Sequence, residues 1–471
     1  MDWFTAPEYW LSRLVLQRAL AGVYVVAFVC AALQFRALIG QRGMLPVPDF
    51  VRRVPFKAAP SLFQWRYSDR QFALCAWAGA LLACAVAVGA ADAVPLWAAM
   101  AMWALLWALY LSIVNVGQLW YSFGWETLLL ETGFLAIFLG NARTAPPVLV
   151  LWLVRWLLFR VEFGAGLIKW RGDRCWRELT CLYYHHETQP MPGPLSRRFH
   201  LLPRRLHRVE VAANHVTQLI VPFGLLCPQP VASAATALVV VTQLWLIVSG
   251  NFSWLNWLTL ILAFAAVDSS PAATAPSTPN PPLWYVALVC AATALVAGLS
   301  YWPVANLVSR GQRMNASFNA LHLVNTYGAF GSVTRVRHEI VVEGTDEEEV
   351  TGDTVWREYE FRGKPGDVRR LPRQFAPYHL RLDWQMWFAA LSPAYAAGWF
   401  EAFVARLLAA DRDTLRLLRH DPFAGRPPTH VRALLYRYRF TTRAEHRATG
   451  DHWHRTLVRE FLPPVRAPHS P

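Results

Sequence analysis

The residues with most chemistry to offer lie between 159 and 203, in FRVEFGAGLIKWRGDRCWRELTCLYYHHETQPMPGPLSRRFHLLP. Lys169 stands at the end of an apolar stretch. It is one of only three lysines, with Lys57 and Lys364, among 45 basic residues, so an amine is an unusual choice in this chain. Such a lysine is either a snorkelling ammonium at a membrane interface or a desolvated amine able to act as a base. Tyr184, His185, His186 and Glu187 follow, then Gln189. Imidazoles beside a carboxylate suit acid–base work or metal ligation. No third ligand lies nearby in sequence, so the reading is a hydrogen-bonded loop and no metal. Arg171, Asp173, Arg174 and Arg177 read as ion pairs that hold this loop. Cys175 and Cys181 flank Trp176 and are the only two of the seven cysteines in a polar loop. They form a disulfide if the loop faces an oxidising compartment. Cys30, Cys75, Cys84, Cys227 and Cys290 lie in apolar segments, where cysteine acts as a small hydrophobe.

Other chemistries lack their motifs. There is no P-loop, dinucleotide fingerprint, HExxH helix or GxSxG nucleophile elbow, and no cofactor is implied. The net charge of +14 is concentrated in the 36–70 loop, the 169–208 loop and the last third of the chain. Basic residues that flank hydrophobic spans suit anionic lipid headgroups, so the partner class is membrane lipid and not nucleic acid.

The elements that must position these residues are membrane spans. A crossing needs about 20 apolar residues, and the chain is 55% hydrophobic with 23 tryptophans. Nine candidate spans follow: 12–35, 71–91, 95–115, 123–140, 147–170, 208–227, 230–249, 253–268 and 283–303. The first is long enough to cross and lacks a good cleavage site, so it reads as a span and not a cleavable signal. Glu126 and Glu131 in the fourth, and Arg155, Arg160 and Glu162 in the fifth, cannot face lipid cheaply. Gly164-Ala165-Gly166 lets another backbone come close. Residues 269–282 are a Pro/Ser/Thr linker. Asn251 and Asn315 fit the glycosylation sequon.

From 304 the chain has soluble character. Strands are expected over 332–343 and 354–362, with an acidic turn between them, and again over 431–442 and 453–461. Helices are expected over 383–391 and 399–418. The fold class is therefore a polytopic α-helical membrane protein, residues 1–303, followed by a soluble α+β domain, 304–471, with an antiparallel sheet. Arginine in place of lysine suggests a GC-rich bacterial genome, hence a bacterial inner membrane.

The run GAGLIKWRGDRCWRELTCLYYHHETQPMPGPLS closely resembles the lipase maturation factor family. The resemblance continues at Asn214-His215, SGNFSWLNWLT (249–259), LVNTYGAFG (323–331), RLDWQMWFAAL (381–391) and Glu460-Phe461-Leu462-Pro463-Pro464, in register over roughly 110–465. It implies a multi-pass protein, resident in the endoplasmic reticulum in the known members, that helps secreted lipases fold: a chaperone-like maturation factor and not an enzyme. A shorter resemblance, on Ala165, Gly166, Leu167, Lys169, Asp173 and Trp176, points to the vitamin K-dependent carboxylase-like membrane proteins. It implies the alternative, a quinol- or lipid-dependent membrane enzyme with Lys169 as base. Under the first reading, Arg171, Asp173, Cys175, Trp176, Arg177, Cys181, Tyr184, His185, His186, Glu187 and Gln189 form a structural or client-binding loop for a secreted client, a lipase by resemblance. That loop and the C-terminal domain are expected on one membrane face, opposite Met1. Positive-inside counting makes that face cytoplasmic, whereas the resemblance makes it extracytoplasmic, the reading preferred here. Lys169 is expected to face the interior, paired with Asp173, Glu126, Glu131 or Glu162.

Overall fold

A computed structural model describes residues 3–467 apart from 271 and 273. Helices form in every one of the nine apolar stretches. Their main members are α1 (Trp10–Leu38), α2 (Asp69–Ala87), α3 (Leu96–Val116), α4 (Gly124–Ala136), α5 (Val148–Arg171), α7 (Arg204–Leu219), α8 (Val231–Ser249), α9 (Leu255–Ala263) and α10 (Leu283–Leu299), with α6 (Leu182–Thr188) in the loop between α5 and α7. Among the described residues, five helical stretches are long and apolar enough to cross a membrane: Pro7–Leu38, Asp69–Ala87, Leu96–Val116, Val231–Ser249 and Leu283–Val308. The other four expected spans fall short of that standard. Helices α4 and α9 are short, α7 opens with two arginines, and α5 carries Arg155, Arg160, Glu162 and Lys169. The loop read between 171 and 205 is itself largely helical, and α6 presents the two adjacent histidines.

The small residues of α5 do what their size allows. A Cβ on Gly164 would lie 2.5 Å from the Tyr327 carbonyl oxygen, and one on Gly166 would lie 2.9 Å from that of Gln218. Glycine at these positions lets the 327 segment and α7 come close, on two sides of one helix.

After α10 the chain builds an antiparallel sheet from β1 (Arg337–Thr345), β2 (Arg357–Glu358), β3 (His430–Phe440) and β4 (Trp453–Arg466), in the order β2-β1-β3-β4. Helix α11 (Arg381–Leu391) packs on β1, and α12 (Phe400–Leu408) packs on β3. The expected strand 354–362 shrinks to two residues because Glu360 leaves β1 to bridge with His420. The expected helix 399–418 breaks at Ala410, which has φ +48°, and restarts with Asp411 as its cap. A single hydrophobic core runs from Leu16 and Leu20 in α1 through Leu128 in α4 to Ile340 and Phe403. The C-terminal elements are therefore packed onto the helices and do not hang from a tether.

Candidate functional site

The two glutamates of α4 position the C-terminal half. Glu126 is fully buried and pairs with Arg381 Nη1 at 2.7 Å. It also accepts a short hydrogen bond from Tyr110 and lies 3.7 Å from His379. Glu131 pairs with Arg160 and accepts hydrogen bonds from the Asn325 backbone at 2.9 Å, Asn325 Nδ2 at 3.0 Å and Tyr327 Oη at 2.7 Å. An ionised carboxylate survives burial only if its charge and lone pairs are met. Here Asn325, Tyr327 and Arg381 come from the 323–331 and 381–391 motifs, which the sequence presents without a role.

The 171–196 segment is fixed in the same way. Asp173 caps a short turn by accepting from the Cys175 backbone at 3.0 Å, and it pairs with Arg335 at 2.8 Å. This pairing holds its carboxyl below the usual range. The Arg335 guanidinium lies over the Tyr184 ring, 4.8 Å from its centre. Cys175 and Cys181 are joined in a disulfide, with Cα atoms 4.8 Å apart. Trp176 donates from its indole to the Phe330 carbonyl at 2.8 Å. Arg171 makes no ion pair among the described residues; it donates to the carbonyls of Leu307 and Ser309. Arg174 pairs with Glu178 at the surface, and Arg177 is exposed. Ion pairing thus explains part of this charge cluster, and backbone capping explains another part.

The far end of α6 is tied to the sheet. Fully buried Arg337 donates to the carbonyls of Glu187, Gln189 and Pro190 while it pairs with Glu339, and Lys364 completes that triad at 2.9 Å. The Glu187 carboxylate accepts from the Phe440 backbone at 2.8 Å, and burial raises its pKa. Gln189 donates to Ser196 Oγ at 2.9 Å and to the Ser249 carbonyl at 3.0 Å. Asn251 is buried and binds the 373–376 backbone, so this sequon is a structural clamp and not a glycan acceptor.

Lys169 faces the interior, but the expected carboxylate contact is replaced by amides. Its Nζ donates to Gln218 Oε1 at 2.8 Å and Asn214 Oδ1 at 3.0 Å, and lies 5.0 Å from the centre of the Trp176 ring. Gln218 and Gln243 donate in turn to Glu162, at 3.2 and 2.7 Å. The charges of Lys169 and Glu162 are therefore linked through Gln218 and do not touch. Both line a cavity of about 640 Å³, within the range of small-molecule sites. Trp245, Phe252, Phe330, Trp384, Trp387 and Tyr395 form much of its wall. His185 also lines it, wedged against Phe330 with ring centres 4.8 Å apart. Burial first, then His186 and Lys169, pushes the His185 imidazole down to about 3, so it stays neutral.

Sequence reasoning located the start of this cavity and missed its far wall. Arg335, His379 and Arg381, and Arg337 in its bonds to 187–190, were invisible as partners because each lies over 100 positions from the group it meets there. A usable signal existed: a buried glutamate in an apolar helix demands a cation from elsewhere. Gln218 and Gln243 gave none, since an amide in a helix reads as neutral.

Two family models match the chain. One, described as the lipase maturation factor transmembrane domain, matches residues 11–274; the other, the lipase maturation factor C-terminal domain, matches 323–463. The human protein lipase maturation factor 1 is 41% identical over an alignment covering 97% of this chain and 88% of its own. The bovine protein of that name is 42% identical over 98% and 90%. Human lipase maturation factor 2 is 29% identical over 97% and 82%. No solved structure matches the chain.

Proposed function

The chain belongs to the lipase maturation factor family, and we propose that it is a membrane-embedded maturation factor for secreted client proteins, lipases by kinship. The observation that carries this reading is the 41% identity running through 97% of the chain, helices and sheet alike. The enzyme alternative draws no support from the same findings. Lys169 is engaged as a donor to two amide oxygens, an arrangement suited to a structural cation.

Clients engage the surface that the 171–205 segment shares with the C-terminal domain. Residues 1–303 form the membrane unit and 304–471 the soluble one. Nine crossings serve the membrane unit, with the short or charged α4, α5 and α9 largely buried among the other helices. The bonds from Arg337 to 187–190 and from Glu187 to Phe440 support one membrane face for the segment and the sheet. The disulfide favours the extracytoplasmic side, where thiols oxidise. Arginine bias supports a bacterial inner membrane, while the relatives above are mammalian.

The test is rescue. The full chain is expressed, with a secreted lipase, in cells lacking their own maturation factor, and active lipase in the medium is measured. Restored secretion of active enzyme is expected. Secretion no better than an empty vector, from a chain that is present and folded in the membrane, overturns the reading.

A further inference from the structure

One wall of the cavity carries a group of side chains that nothing above uses. His186 on α6 faces His207 and Glu210 on α7, and one ligating atom from each lies within 4.8 Å of the others. Residues three apart on a helix share a face, so α7 presents His207 and Glu210 together. Helix α6 is held by Gln189 and Arg337, which fixes His186 opposite them.

The hydrogen bonding around these rings is incomplete in a directed way. His186 is 2% exposed, yet neither ring nitrogen has a partner. His207, also 2% exposed, sets Nε2 3.3 Å from the His200 carbonyl and leaves Nδ1 without a partner. A carbonyl only accepts, so the proton belongs on Nε2, and Nδ1 carries its lone pair toward Glu210. A ring oriented by a carbonyl on one nitrogen, with the other free to bind, is the usual arrangement of a metal-ligating histidine. The carboxylate is oriented too, since Trp245 donates to Glu210 Oε1 at 2.5 Å.

Direct pairing does not account for the group. His186 Nε2 and His207 Nδ1 stand 3.9 and 3.8 Å from the Glu210 oxygens, beyond hydrogen-bond reach. Ligand atoms about 2.0–2.1 Å from a tetrahedral zinc ion are separated by roughly 3.3 Å. The two gaps, which run to different oxygens of Glu210, close to that value with shifts of a few tenths of an ångström per side chain, and the imidazole pair is no farther apart than 4.8 Å. Leaving three imidazole nitrogens bare in the interior is costly; one cation between them satisfies the two that face Glu210.

We propose that His186, His207 and Glu210 bind one divalent transition-metal ion of the zinc class in the cavity wall. Two imidazoles and a carboxylate suit such ions and not calcium or magnesium, which prefer all-oxygen sites. Three protein ligands leave a coordination position open. His186 and Glu210 both line the cavity, so that position faces it and takes water or a donor atom of whatever fills it. The other group of ligand-type residues, Asp173 with Cys175 and Cys181, does not compete, because its sulfurs are in the disulfide and its carboxylate holds Arg335.

The full chain, purified in detergent without a histidine tag and stripped with chelator, is titrated with Zn²⁺ alone and then with Co²⁺. One Zn²⁺ per chain and visible Co²⁺ ligand-field bands that Zn²⁺ abolishes are expected, with a Zn²⁺-dependent rise in melting temperature. Glu210→Gln keeps an acceptor for Trp245 and loses the ligand charge; it and His207→Ala should lose the bands and the rise. His454→Ala, at an exposed position on β4, should keep both. A metal-free melting temperature for Glu210→Gln equal to that of wild type separates loss of the site from loss of the fold. Wild-type protein that takes up no stoichiometric Zn²⁺, or variants that hold as much as wild type, overturns the proposal.

Discussion

Two sets of buried charge on neighbouring helices are handled in opposite ways. Glu126 and Glu131 of α4 each meet an arginine directly, Arg160 of α5 in the second case, and each accepts further hydrogen bonds. On α5, Lys169 and Glu162 are separated by amides and border an open cavity. A closed pair in direct contact is an assembly joint: it holds one arrangement, and removing a partner strands a charge. Charges held through neutral amides can exchange partners when something enters. The first region builds the protein, and the second is where it has room to respond.

The largest effect should come from breaking a closed pair. Arg381→Met leaves Glu126 buried with no cation in contact, beside a neutral imidazole. The expected loss is about 3–5 kcal/mol, read as a lower melting temperature in detergent and reduced membrane abundance. Glu126→Gln added to Arg381→Met removes the stranded charge and should recover much of that loss. If Arg381→Met is as stable as wild type, the α4 pairs are not joints and the contrast fails.

This contrast sets what the sequence could reveal. Glu126 and Glu131 announce themselves because a carboxylate in an apolar helix has few tolerable fates. Their partners do not, because Arg381 lies 255 positions from Glu126 and Asn325 lies 194 from Glu131. Long strands were legible for a local reason: alternation marks β3 and β4 within a residue or two of their starts. Expected strand 354–362 failed because its fate depends on His420, far along the chain. Number of crossings was the hardest quantity to read. Hydropathy finds helices, but whether α4 or α5 sees lipid depends on which neighbours neutralise it. In the candidate site, chain neighbours such as His185 and His186 were visible, whereas His207 and Glu210 read as ordinary polar positions at the start of an arginine-rich helix.

A smaller effect is expected at the amide-held lysine. Lys169→Met removes the donor from Asn214 and Gln218 and leaves Glu162 with amides only. Loss of those hydrogen bonds should cost roughly 1–3 kcal/mol, less than at Arg381. Lys169→Arg keeps the charge and cannot give up its proton at working pH. It should support secretion of active client in large part, while Lys169→Met should support less. A folded Lys169→Arg protein with no activity would move Lys169 from structural cation to base and bring the enzyme reading forward. Full activity in both variants would leave the lysine no role beyond filling its buried position.

The smallest expected effect tests how tightly the α4 joint is closed, through His379. This residue lies outside the helices, fully buried beside Glu126, Arg381 and the rings of Phe123, Trp125 and Trp384. Burial first, then Arg381, pushes its imidazole down to about 4, and Glu126 opposes them only in part because its charge already serves the arginine. In the unfolded chain the same group titrates near 6.5. Between those values the unfolded state takes up more protons than the folded one, so stability falls as pH falls through this window. At about pH 5.5 the loss from this one group is roughly 1 kcal/mol relative to neutral pH. His379→Gln removes one titrating group and should make the fall in melting temperature between about pH 6.5 and 4 shallower, with the rest of the fall left to other buried imidazoles such as His185 and little change at pH 8. Should wild-type protein instead gain stability on acidification, and His379→Gln lose that gain, the imidazole would be charging in place against Glu126. The carboxylate would then not be fully spent on Arg381, and the α4 joint would be open to protons in the way the α5 side is open to its cavity.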